Sequence, residues 1–246
     1  MLNRRHMLSG GALALLAGRA SASTEGDIIY ANPLATPSDV KGFRLEGEAL
    51  IDFDAGQMRL RNKLSADQGQ ASNFVYWCPE VFPDDIDICW KFTALEEPGL
   101  CILFLAAQGL LPEGEVSLFD PRLKPRVGIY DQYTMSDVSA LQIAYFRRRW
   151  DTERAFHLCN LRRAPGFELL AQGADPLPDV ADAKPPYLMR LIKSGAQVAF
   201  FMNDLPVLSW QTEGRGGPTS GCIGFRQMAP LVAMYSHLEV RRLPKA

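Results

Sequence analysis

Tyr187-Leu-Met-Arg-Leu-Ile-Lys-Ser-Gly-Ala-Gln-Val-Ala-Phe-Phe-Met-Asn-Asp-Leu-Pro-Val-Leu-Ser-Trp210 decides the fold class. Gly221-Cys-Ile-Gly-Phe-Arg-Gln-Met228 and Ala233-Met-Tyr-Ser-His-Leu-Glu-Val240 follow it. Short apolar runs rich in Val, Phe, Ile and Tyr alternate with turn signals. Lys193-Ser194-Gly195 turns because Gly tolerates positive φ, and Asn203-Asp204 supplies the next turn. Pro206 sits where a ladder donor is dispensable. The pattern predicts an antiparallel meander over Tyr187–Arg242 that must bury one face against a second layer.

Upstream the same grammar repeats. Gly47 to Lys63 reads as a hairpin around Ala55-Gly56. Ile86 to Thr93 and Gly99 to Ala107 read as apolar strands, and Leu100-Cys-Ile-Leu-Phe-Leu-Ala-Ala107 barely alternates, as a strand buried on both faces does. Further strands are expected over Ala140–Arg149, Ala155–Leu161 and Phe167–Gln172. Between them, Gly109 to Asp137 is a long Pro- and Gly-punctuated segment of the kind that carries function. About a dozen short strands of this type point to an all-β sandwich or jelly roll of two antiparallel sheets.

The N-terminus reads as a targeting segment. Arg4-Arg5 precede an apolar run from Leu8 to Ala17, and Ala20-Ser21-Ala22 matches a small-residue cleavage site. The expectation is a twin-arginine signal peptide over residues 1–22, a single domain over 23–246, and a periplasmic location with no membrane attachment after cleavage. The 246-residue chain carries a formal net charge of −2. Removing residues 1–22 takes out Arg4, Arg5 and Arg19 and no acid. A net acidic protein is a poor nucleic-acid partner, because such binding rests on a basic surface. The five cysteines are odd in number and form no Cys-x-x-Cys, so neither a disulfide framework nor a zinc site is indicated. No metal and no cofactor is expected.

Six separated motifs carry a resemblance. They are Trp77-Cys-Pro-Glu80, Lys124-Pro-Arg-Val-Gly-Ile-Tyr-Asp-Gln-Tyr133, Tyr145-Phe-Arg-Arg148, Cys159-Asn-Leu-Arg-Arg163, Gln172-Gly-Ala-Asp-Pro176 and Gly224-Phe-Arg-Gln-Met-Ala-Pro230. In this combination and order the chain resembles the domain-of-unknown-function family DUF1961 over nearly its whole length after residue 22. The resemblance implies a concanavalin A-like lectin/glucanase jelly roll. It also implies a setting in the breakdown of uronate-rich plant and algal polysaccharides. It supplies no settled reaction.

Retaining glycosidases need two carboxylates about 5–5.5 Å apart. Neither Glu-x-Asp-x-x-Glu nor Glu-x-Asp-x-Glu occurs here; Asp85-Ile86-Asp87 is the nearest approach and reads as a solvated turn. Basic and aromatic residues cluster instead. Alternation puts Ile143, Tyr145, Arg147 and Arg149 on one strand face. Arginines suit carboxylates through bidentate hydrogen bonds. β-Elimination at a uronate would use a cation to stabilise the developing charge and a base to take the α-proton. On that reading His157, Tyr145 and Arg147 are the candidate catalytic residues. Trp77, Tyr130, Gln132, Asn160, Arg162, Arg226 and Gln227 are the candidate substrate-binding residues. The expected partner is an acidic oligosaccharide or polysaccharide, handled by a lyase or hydrolase. The alternative is a non-catalytic, lectin-like carbohydrate-binding module.

Overall fold

The computed structural model describes residues 26–211 and 217–244; the 1–22 segment lies outside them. In chain order the strands are β1 (Asp27–Asn32), β2 (Arg44–Gly47), β3 (Ala49–Asp54), β4 (Gln57–Asn62), β5 (Phe74–Phe82), β6 (Ile86–Glu96), β7 (Leu100–Leu111) and β8 (Gly114–Val116). They continue as β9 (Val138–Tyr145), β10 (Leu158–Ala164), β11 (Glu168–Ala174), β12 (Tyr187–Ser194), β13 (Gln197–Met202), β14 (Leu205–Gln211), β15 (Gly221–Met228) and β16 (Val232–Arg242). Two short helices, α1 (Asp131–Thr134) and α2 (Asp151–Ala155), sit in the long connections.

These strands form two antiparallel 8-stranded sheets. The first runs β14-β13-β12-β6-β16-β4-β3, with β1 also paired to β16. The second runs β11-β10-β9-β7-β15-β5-β2, with β8 paired to β7. The inter-sheet core joins Leu103, Ile143, Leu161 and Phe225 from one sheet to Trp90, Leu191, Phe200 and Tyr235 from the other. This is the two-sheet antiparallel sandwich that the strand pattern predicts, and it agrees with the concanavalin A-like jelly roll that the resemblance implies.

The closing meander is only half a meander. Strands β12, β13 and β14 are hairpin neighbours, turned by Gly195 at φ 50° and by Asn203-Asp204 at φ 46° and 65°. The chain then crosses: β15 enters the second sheet between β7 and β5, and β16 returns to the first between β6 and β4. All of β15 is buried. Local alternation does not tell a strand which sheet it will join.

Three other sequence expectations change. Strand β9 ends at Tyr145, because Phe146 takes a left-handed φ of 47° that breaks the alternation. Arg147, Arg148 and Arg149 therefore leave the strand and do not share a face with Tyr145. The strand expected over Ala155–Leu161 starts later, at Leu158, because Ala155 closes the short helix α2. Asp87 is not a solvated turn residue: it is buried in β6 and held by Arg190 at 2.9 Å. Strand β7, by contrast, is covered on both faces as its composition predicts. Its Cys101, Leu103 and Leu105 face the inter-sheet core, and Ile102 and Phe104 belong to a second apolar cluster on the far side.

All five cysteines are free; Cys89 is half-buried and the other four are buried. Burial pushes the Cys89 and Cys222 thiols up to about 12, which suppresses the reactive thiolate. A thiol reagent is accordingly expected to react slowly with the native protein and to find five thiols per chain after unfolding. A lower count in the unfolded chain would reveal a disulfide.

Candidate functional site

The second sheet has an outer face, and register assembles it from strands distant in sequence. One row across it reads Asn160, Ala144, Ile102, Arg226, Val75 and Glu46. The next reads Arg162, Gln142, Phe104, Gly224, Trp77 and Arg44. Residues at paired positions point to the same side. This face thus gathers Asn160, Arg162 and Arg226 from two strands more than sixty residues apart.

Residues 117–137 lie over the β7-β15-β5 half of that face. Leu118 and Tyr133 bury themselves in the second apolar cluster with Trp77, Ile102 and Phe104. Arg126 clamps Glu46 with two nitrogens at 2.8 and 3.0 Å, and Trp77 Nε1 donates to the same carboxylate at 2.9 Å. Gly128 passes so close to β5 that a Cβ would strike the Asn73 backbone, and its φ of 88° already excludes most side chains. This close approach lets Gly128 O accept from Arg226 Nη1 at 2.7 Å.

Arg226 is 0 % exposed. Its guanidinium lies 4.9 Å from the Tyr130 ring and 5.6 Å from the Tyr133 ring, and Nη2 donates to Gln70 Oε1 at 3.2 Å. Among the described residues no carboxylate pairs with it. Burial pulls its pKa down to about 10, which still leaves it charged at neutral pH.

The face opens to solvent toward its β10–β11 edge, where Arg162 is half-buried and Gln172 exposed, while Gln142 and Asn160 lie buried behind them. Tyr130 bridges the two halves by donating its hydroxyl to Gln142 Oε1 at 2.7 Å. Burial raises the Tyr130 pKa to about 12, against the opposing pull of Arg226, Arg162 and Arg147. Gln142 is 1 % exposed and its Nε2 has no partner. Arg162 lies 3.9 Å from the centre of the Phe167 ring and donates to Phe167 O at 3.0 Å, again with no carboxylate partner among the described residues. Burial lowers its pKa. Asn160 sits 2.8 Å from the Gln172 amide, and with its amide turned its oxygen accepts from Arg147 Nη1 at 3.1 Å. Arg147 also pairs with Glu153 at 2.7 Å.

The structure therefore brings Tyr130, Arg147, Asn160, Arg162 and Arg226 into one neighbourhood and disperses the rest. Tyr145 is fully buried in the inter-sheet core, its ring 5.3 Å from Phe92, so it cannot reach a ligand on the outer face. His157 falls on the opposite side of the chain from Leu158 and Asn160, and its nearest acid is Asp179 at 3.9 Å. Trp77 is sealed beneath the covering segment. Gln227 faces inward, donating to Leu60 O and Leu231 O at 3.2 and 3.3 Å. Gln132 ties the covering segment to itself by accepting from Val127 N at 2.8 Å. Gln142 and Phe167 join the neighbourhood through register and loop contacts, without any sequence signal; Gln172 joins them from the Gln172–Pro176 motif, which named no ligand-binding role for it.

Two clefts lie elsewhere. One of about 550 Å³ is lined by Arg59, Arg61, Lys63 and Glu96 among others. Its basic residues are already matched, Arg59 and Arg61 by Asp52 and Lys63 by Glu48. The other, of about 830 Å³, is mainly apolar, with Phe43, Phe53 and Tyr76 in its wall. Neither contains any residue expected from sequence to bind a ligand. Among the described residues no cluster of His, Cys, Asp and Glu could hold a metal ion.

Known proteins place the chain. It is 49% identical over 225 residues to the "Uncharacterized protein YesU" of Bacillus subtilis (strain 168), covering 89% of this chain and 99% of the relative. A crystal structure of a protein of unknown function with galectin-like fold, also from Bacillus subtilis, superposes with a TM-score of 0.84 at 46% identity, over 90% of this chain and 98% of that one. The β-glucanase of Bacillus licheniformis shares the fold alone, with a TM-score of 0.53 at 10% identity over 90% of this chain and all (100%) of that one. The model of the "Domain of unknown function (DUF1961)" matches residues 27–240, so the chain belongs to the DUF1961 family.

Proposed function

We propose that this protein is an exported, periplasmic carbohydrate-binding protein that holds an acidic oligosaccharide on the β9–β11 half of the second sheet's outer face. The observation that carries the reading is charge without counter-charge. Arg226 lies over the Tyr130 ring and Arg162 over the Phe167 ring that meets Tyr130 edge-on, and neither has a carboxylate partner among the described residues. Unpaired buried charge is costly unless a ligand answers it. The exposed Gln172 amide, backed by the buried Asn160, and the partnerless Gln142 Nε2 add polar groups that suit hydroxyl and carboxylate oxygens. Solved proteins sharing this fold include the carbohydrate-binding module CBM66 and a β-glucanase, which makes a sugar the natural ligand class.

Binding stands ahead of turnover here. Glu46, Glu153 and Glu168, on or beside this face, are each committed to an arginine; Asp131, next to Tyr130, is a single carboxylate, and a hydrolase built on paired carboxylates needs two. His157 and Tyr145 face away from the arginines, which argues against elimination through them. One observation keeps β-elimination as a second reading: the Tyr130 hydroxyl lies in the field of three arginines, hydrogen-bonded to Gln142.

The test is titration of the purified protein with galacturonate and glucuronate oligosaccharides and their neutral counterparts. Selective binding of the acidic sugars is expected, weakening with salt. Arg162→Ala is expected to lose about fivefold on the acidic series, since a half-exposed guanidinium contributes roughly 1 kcal/mol. Equal affinity for acidic and neutral sugars would overturn the reading. Growth of unsaturated-uronate absorbance, abolished by Tyr130→Phe with binding retained, would move the protein to the second reading.

A further inference from the structure

Phe156 is 71% exposed, and a single exposed ring is ordinary by itself. Its place in the fold is not. Strand β10 pairs with β11 from Leu158↔Ala174 onward, and Asp175 N donates to His157 O at 2.9 Å, which carries the ladder one residue further. Phe156 is itself extended, at φ −131° and ψ 93°. Alternation along this extended run places Phe156, Leu158, Asn160 and Arg162 on one side of the chain, the side that bears the uncompensated guanidinium.

Six steps at roughly 3.3 Å each separate Phe156 from Arg162, about 20 Å in all. That is longer than a single sugar ring. The row also changes character along its length. At one end Arg162 stacks on Phe167 beside Tyr130. In the middle the exposed Gln172 offers its amide, held from behind by the buried Asn160, with Arg147 balanced by Glu153. At the far end Phe156 presents an open, uncharged face. Glu153 pins the turn that leads to it by accepting from the Arg149 and Trp150 amides at 3.1 and 3.3 Å.

We infer that β10 is a polarised track for an oligosaccharide, with the acidic unit at Arg162 and an uncharged sugar ring lying against Phe156. This rests on the binding surface proposed above and adds to it a direction, a minimum length and a second recognition element. The sugar's apolar face covers the ring, and the gain is realised only by a ligand long enough to reach it.

Glucuronic acid and the aldobiouronic, aldotriouronic and aldotetraouronic acids, in which a single glucuronate carries successive xylose units, are the probes. Calorimetric titration of the full chain is expected to show affinity rising with each added xylose, by roughly tenfold over the series, the scale of covering one aromatic face. Phe156→Ala, a change at an exposed side chain, is expected to flatten that rise while leaving the affinity for glucuronic acid unchanged. Arg162→Ala should lower all members alike. Length-independent affinity, or a rise that survives Phe156→Ala, would overturn the track and leave the anionic surface standing. No binding of any member would remove both.

Discussion

Gly128→Ala is expected to lower the stability of this protein by about 3 kcal/mol, a fall of roughly 6–12 °C in the melting temperature of a chain this size. Two costs combine. A residue with Cβ is strained at φ 88°, and the new methyl strikes the Asn73 carbonyl, which as backbone cannot rotate away. Relief requires residues 117–137 to lift from the sheet. That would separate Arg226 from Gly128 O and uncover Trp77 and Tyr133. A red shift of tryptophan emission should therefore accompany the fall, together with weakened binding of acidic sugars. An unchanged melting temperature would mean that the covering segment is not clamped at Gly128.

Arg226→Met separates charge from packing. The guanidinium's desolvation cost disappears with it, but Gly128 O loses its donor, so the variant is expected to fold with a loss of about 1–3 kcal/mol. Affinity for acidic oligosaccharides should nevertheless fall roughly 30-fold. At an effective dielectric of ~20, a unit charge about 8 Å away contributes about 2 kcal/mol, and burial protects that interaction from salt. Neutral oligosaccharides should bind the variant and the parent equally. Equal losses on both would show that Arg226 acts through structure and not through its field. Arg162→Ala differs in one respect: its loss should shrink at high salt, because Arg162 lies at the surface.

The contrast between Arg226 and Gln227 shows how far the chain could be read unaided. Both lie in one motif, and both were expected to bind ligand. Alternation within β15 makes their separation inevitable, one toward the outer face and one toward Leu60 and Leu231. Which of the two faces outward depends on where β15 sits between β7 and β5. Tyr145 and Arg147 fail to share a face for a different reason: one left-handed residue, Phe146, ends the strand between them. Composition gives no warning of a positive φ at a phenylalanine.

Hairpins, turns, the doubly buried strand β7 and the two-sheet architecture were legible because their causes are local. Alternation, β-branched content and Gly, Asn or Asp at positive φ act within a few residues, and six ordered motifs named the family. The binding surface had to wait for the tertiary structure, because its causes are not local. It depends on the register of β10 against β9, of β9 against β7 and of β7 against β15, and on a segment folded back from another part of the chain. Each pairing is chosen by the burial of whole faces, and a shift of one residue would send Asn160, Gln142 and Arg226 into the core.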